Sequence, residues 1–150
     1  MSTDFDLANF LPYQLSIASN AVSNRIAELY FREFGLKVTE WRSMAMLGDA
    51  GPLTQREIAQ RTLMDKVAVN RACKVLEERG LARRLPHERD GRSHHLELSE
   101  AGQDMHARIV PMARGIEEAL LAEMAPGEEK TLRHLLDHIR QRATQVGPEA

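Results

Sequence analysis

The sequence predicts a mainly α-helical fold carrying one small β-hairpin, an α+β arrangement, and three observations predict it. Apolar residues return every three or four positions over most of the chain, the period of an amphipathic helix. That period gives way once, between Leu81 and Leu98, to two short strand-like runs around a polar turn. Capping residues (Thr39, Thr54, Asp65, Ser99) and glycine stops (Gly35, Gly80) cut the helical stretches into six pieces, within a length suited to one compact domain.

From about Asp6 to Phe34, the residues Leu7, Leu11, Leu15, Ala18, Val22, Ile26 and Leu29 form one apolar stripe. A single long helix is expected there, with Pro12 tolerated near its start and Gly35 ending it. Thr39 is the expected N-cap of a second helix through Trp41, Met44, Ala45 and Leu47, stopping at Gly48 to Pro52. Thr54 caps a short third helix, Gln55 to Arg61, with Ile58 and Ala59 turned inward. Asp65 caps a fourth, which reaches Arg79 and is closed by Gly80. Two short helices joined by a tight turn make a helix-turn-helix. Leu81 to Leu85 and Ser93 to Leu98 are the expected strands, Leu96 and Leu98 facing inward, with Pro86 to Gly91 as the turn. A hairpin after a helix-turn-helix is a winged helix, its wing spanning 82–98 as a two- to three-stranded sheet.

The fifth helix starts at Ser99-Glu100, and its stripe Met105, Ile109, Met112, Ile116, Leu120, Met124 runs to about residue 124, with a kink expected at Pro111. The sixth begins near Pro126. It carries Leu132, Leu135, Leu136, Ile139, Ala143 and Val146, and places Glu128 and Glu129 in the first turn, where the helix dipole favours anions. Residues 37–98 are thus the winged helix-turn-helix, while 1–36 and 99–150 supply three amphipathic helices that need a partner surface. A second copy of the chain is the expected partner, because a two-fold dimer would also set two reading helices about 34–36 Å apart, one turn of a DNA duplex.

Charge sharpens that reading. The chain has a formal net charge of −2. Between Thr54 and His95, however, ten Lys/Arg (Arg56, Arg61, Lys66, Arg71, Lys74, Arg79, Arg83, Arg84, Arg89, Arg92) face six acids, a local +4 that leaves −6 for the rest. On a helical wheel Val69, Ala72, Cys73 and Leu76 cluster on one side of the fourth helix, and Val67, Arg71, Lys74 and Glu78 on the other, with Asn70 and Ala68 flanking. Arg can bond the guanine edge in two places and Asn the adenine edge, while Lys mostly meets phosphate.

Other classes find little support. No apolar run approaches the roughly 18 residues of a membrane span, and MSTDFDLANF lacks the basic region of a leader, so a cytoplasmic protein is expected. One cysteine cannot form an intrachain disulfide. There is no G-x-S-x-G, no phosphate-cradling glycine loop and no H-E-x-x-H, so neither catalysis nor a cofactor is expected.

The segments EWRSMAMLG, LTQREIAQRT, DKVAVNRACKVLEERGLARR and ERDGRSHHLELSEAG, in that order and spacing, resemble the MarR family of bacterial transcription regulators, from about residue 7 to 146. The resemblance implies a homodimer that binds a palindromic operator and releases it when a small phenolic or anionic aromatic effector enters a cleft beside the dimer helices. Carried over by residue, it implies that Thr54 and Gln55 meet phosphate and that Val67, Ala68, Asn70 and Arg71 lie in the major groove, on recognition helix 65–79, with Lys66 and Lys74 also among the DNA-binding residues. It also implies that Arg84, Asp90, Gly91, Arg92 and Ser93 form the minor-groove wing, with Asp90 bracing an arginine and Arg92 reaching into the groove. Val67, Ala68 and Asn70 stand where the family commonly has Ser or Thr, so its base preference does not carry over. The implied effector cleft draws on Tyr13, Ser16, Ile17, Asn20, Trp41, Arg42, Met44 and Ala45, with Arg42 the nearby cation for an aromatic acid. Trp41 and Met44 read more readily as core residues, and Arg42 as a salt bridge between domains, than as ligand contacts. Two alternatives remain within the same fold: a metal-responsive regulator using His134 and His138, and a winged helix that binds protein instead of DNA. Cys73 lies on the inward face of the fourth helix, where a small buried hydrophobe is the expected role.

Overall fold

The computed structural model describes residues 4–86 and 94–147. The first helix is shorter than its stripe. A 3-10 turn at Leu7–Asn9, held by the Asp6 carboxylate accepting from the Ala8 N–H at 3.1 Å, precedes α1, Leu11–Phe34. Proline has no N–H and fits only the first turn of a helix, so Pro12 sets where α1 begins and the residues upstream fold separately. Gly35 closes α1 at φ 66°, the left-handed region that favours glycine.

Helix α2, Val38–Ala50, departs from expectation at its start. Its cap is Lys37, whose N–H donates to the Glu40 carboxylate at 3.2 Å, while Thr39 sits inside the helix with its carbonyl accepting from Ser43 Oγ at 2.8 Å. At its other end the helix stops within the expected stretch from Gly48 to Pro52, at Ala50, with Gly51 at φ 75° after it. The His106 imidazole packs over Gly48, where a Cβ would lie 2.6 Å from its Nε2.

Helices α3, Gln55–Thr62, and α4, Lys66–Glu78, follow with Leu63 between them and Gly80, φ 71°, after α4. Strands β1, Ala82–Pro86, and β2, His94–Leu98, pair antiparallel in the register Ala82↔Leu98 to Pro86↔His94. A third strand is reduced to one bridge, Leu53↔Leu96. Helix α5, Glu100–Leu121, keeps its helical assignment through Pro111, and α6 is Glu128–Gln145. Met124 lies in the turn after α5, not in its last turn, its N–H bonded to Leu121 O at 3.1 Å.

By contacts the chain divides into two units, Met1–Pro111 and Met112–Ala150. The first holds the core: Tyr30, Leu36, Met44, Ile58, Val69, Cys73, Leu76 and Leu96 are essentially inaccessible to solvent. Tyr30 stacks edge-on against Trp41 and Phe34, with ring centroids 5.2 and 6.3 Å away. One junction locks the end of α4 to the hairpin and to α5. Ser99 N–H donates to Leu81 O at 3.0 Å, Ser99 Oγ donates to Gly80 O, and Gly102 N–H donates to Ser99 Oγ at 3.1 Å. The second unit holds α6, which has no buried residue.

Candidate nucleic-acid interface

The helix-turn-helix is built by caps. Thr54 Oγ1 accepts from Glu57 N–H at 3.1 Å and the Glu57 carboxylate accepts from Thr54 N–H at 3.4 Å, a reciprocal box that starts α3. The Thr54 hydroxyl hydrogen is left available to donate to a phosphate. At the next helix Asp65 Oδ1 accepts from the Val67 and Ala68 N–H groups at 2.7 and 3.1 Å. Asp65→Ala should therefore destabilise the fold by about 1 kcal/mol in urea unfolding, the usual worth of an N-cap.

Helix α4 is sharply two-sided. Val69, Ala72, Cys73 and Leu76 are buried, while Lys66, Val67, Asn70, Arg71 and Lys74 are exposed and Ala68 is half-buried. The same face continues into a groove of about 520 Å³ lined by Lys37 and Thr39 of α2 and by Arg71, Lys74 and Glu78 of α4. Gln55 and Thr54, both half-buried, stand at the start of α3 beside exposed Arg56.

Part of the basic island is paired with neighbouring groups of the fold at its surface, which its sequence did not reveal. Arg79 donates to Phe34 O at 2.8 Å and to Gly35 O at 3.2 Å, placing a cation on the negative end of the α1 dipole. Arg83 pairs with Glu97 across the hairpin at 2.6 Å, and Arg84 pairs with Glu77 of α4. Arg84, expected in the wing, thus has its guanidinium paired with α4 while its side chain stays 45% exposed. Asp90, Gly91, Arg92 and Ser93 lie outside the described residues, as does Arg89.

The effector candidates separate into three groups. Trp41, Arg42 and Ala45 line a cavity of about 370 Å³ together with Met46, Asp49 and Thr62. Arg42 donates to Ser23 Oγ of α1 at 3.1 Å, a hydrogen bond where a salt bridge was the alternative, and lies 6.0 Å from the Trp41 ring centroid. Trp41 Nε1 is buried with no hydrogen-bond partner among the described residues. Met44 must be withdrawn from the cleft, because its helical position directs it into the core and it is 0% exposed. Tyr13, Ser16, Ile17 and Asn20 are exposed on α1 and take no part in this cavity.

Burial pushes the Cys73 thiol up to about 11, with nearby Glu77 adding to the shift and Arg84 opposing it. The thiol should resist a thiolate-seeking reagent at pH 8 in the native protein and react fully in denaturant. The raised value favours the neutral thiol of the folded state, so its stability contribution is complete below the unfolded thiol's pKa. It declines as pH rises towards about 11. The rings of His134 and His138 stand 6.2 Å apart on α6, and among the described residues no three His, Cys, Asp or Glu side chains gather as a metal site.

With this geometry in place, the comparisons with known proteins align. The sequence profile of the MarR family matches residues 34–93. The crystal structure of a MarR/EmrR family transcriptional regulator from Acinetobacter sp. ADP1 superposes with a TM-score of 0.87 at 27% identity, covering 95% of this chain and 100% of that one. An uncharacterized HTH-type transcriptional regulator of Bacillus subtilis, YwoH, is 27% identical over 125 residues, 83% of this chain and 90% of its own. The HTH-type transcriptional repressor NicR of Pseudomonas putida is 29% identical over 94 residues, 63% of this chain and 60% of its own. Over residues 34–93 the chain thus matches the MarR family, and the relatives it resembles are transcriptional regulators.

Proposed function

We propose that this regulator is a homodimeric repressor that binds a palindromic operator in double-stranded DNA, with α4 in the major groove and the wing in the minor groove. The observation that carries the reading is the division of α4 into a fully packed inner face and an outer face presenting Asn70, Arg71 and Lys74. A two-sided base donor beside an adenine-reading amide, flanked by phosphate-seeking Lys66 and Lys74, is a set suited to base edges and backbone at once. The repressor direction rests on the likeness to NicR. Arg92 at the wing tip, and cytoplasmic residence, belong to the same proposal.

The dimer is supported by apolar surface left open. Leu132, Leu135, Leu136 and Val146 of the α6 segment are 37%, 55%, 47% and 49% exposed, and Leu11 and Ile17 of α1 are 52% and 49% exposed. Stripes of this size call for a covering surface, and residues 1–36 with 99–150 would provide it from a second copy. An effector, an aromatic acid, would enter at Trp41 and Arg42 and shift operator affinity through a coupling of about 1–3 kcal/mol.

Selection from random duplexes, followed by gel shifts and by light scattering for mass, tests the reading. A dimer, an enriched inverted repeat and affinity falling steeply with salt are expected. A monomer that retains no duplex even at low salt would end it and favour a protein-interaction module. A thermal-shift screen of small aromatic acids on wild type and Arg42→Ala tests the effector: a shift lost in the variant supports it, and no shift with any acid removes it.

A further inference from the structure

Two exposed apolar side chains frame the start of α4, where an isolated domain would normally place polar ones. Val67 is 57% exposed and, on the helical wheel, lies diametrically opposite the buried quartet Val69, Ala72, Cys73 and Leu76. Packing against the core cannot explain its valine. Leu63, in the turn between α3 and α4, is 65% exposed and is the single non-glycine residue with positive φ, at 54°, among the described residues. Leucine is disfavoured there by the contact of its Cβ with the backbone, and glycine or asparagine would hold the turn with less strain. Exposure and strain coincide in one residue, and a side chain kept on both terms is serving something outside the fold.

The surroundings say what. Arg61, Lys66, Arg71 and Lys74 are exposed on either side of the pair, so its occupant is polyanionic. Within a polyanionic duplex the apolar feature displayed in the major groove is the C5-methyl group of thymine. We propose that Leu63 and Val67 form an apolar reading surface for thymine methyl groups, giving the recognition helix a T-selective element beside the polar readers Asn70 and Arg71. The proposal rests on the DNA-binding reading above and adds to it a class of base, and it assigns Leu63 to a site that its position in the turn would not suggest.

The test changes the DNA before the protein. In a duplex recovered by selection, each thymine is replaced in turn by uracil, which keeps every hydrogen-bonding edge and removes only the methyl. At one or more positions in each half-site the wild-type Kd should rise about fourfold, the worth of one buried methyl group. Val67→Ser or Leu63→Asn, whichever faces that base, should bind thymine and uracil duplexes alike; both sites are exposed, and asparagine accepts the left-handed turn. If every uracil duplex binds as tightly as its thymine parent while sequence-specific binding persists, the inference falls and the DNA reading stands. If the thymine preference survives in both variants, the methyl is read elsewhere and the assignment is wrong. If no duplex is bound at all, the DNA reading itself has failed.

Discussion

Gly102→Ala should lower the melting temperature by about 10 °C, following the cost of overpacking where a backbone must move and the usual conversion for a chain of this size. A Cβ added at Gly102 would lie 2.0 Å from Leu81 O and 3.3 Å from Leu98 Cβ. The obstacle is a backbone carbonyl, and that carbonyl already accepts from Ser99 N–H at 3.0 Å, so it cannot swing aside without breaking the junction. Either α5 retreats or the hairpin shifts, and both are anchored to the end of α4. Gly115→Ala, in the same helix, is the control: nothing stands within 4 Å of its Cβ, so the variant should gain about 0.5–1 kcal/mol from the reduced freedom of the unfolded chain. Thermal unfolding followed by circular dichroism reads both. If Gly102→Ala melted with wild type, the close packing of α5 on β1 would be wrong.

Arg71→Ala should cost operator binding about 1–3 kcal/mol, a loss of about 5- to 150-fold, and should erase preference at the base pair it reads. Lys74→Ala should instead weaken all duplexes alike and shallow the log–log salt slope by about one. The two are exposed one turn apart on the same face of α4, so the contrast isolates chemistry from position. Binding measured on the selected and a scrambled duplex at several salt concentrations separates the outcomes. Unchanged discrimination in Arg71→Ala would mean that α4 meets the groove through a different arc of its surface.

Much of this molecule could be read before its coordinates were known, for a physical reason. The buried and exposed faces of α4 follow from a period of 3.6 residues, and the caps at Thr54 and Asp65 are local chemistry within four residues. What escaped depends on neighbours distant in sequence. Gly48 reads only as the start of a helix stop until His106 is seen against it, and Arg79 and Arg84 read as two more charges of a basic island until the Phe34 carbonyl and Glu77 are found beside them. Met44 and Trp41 share a helix and a hydrophobic character, yet one is sealed in the core and the other opens on a cavity. That difference is fixed by how α2 is rotated among its neighbours, which no local pattern records.

The Arg79 grip on Phe34 and Gly35 also fixes which cation can serve there. A guanidinium holds its donors in one rigid plane, whereas an ammonium is a compact point charge on a flexible stem. Because two carbonyls are held by two nitrogens of one planar group, the end of the first helix is set in angle as well as in distance against the trailing end of α4, and a lysine in the same place would keep the charge and lose the alignment.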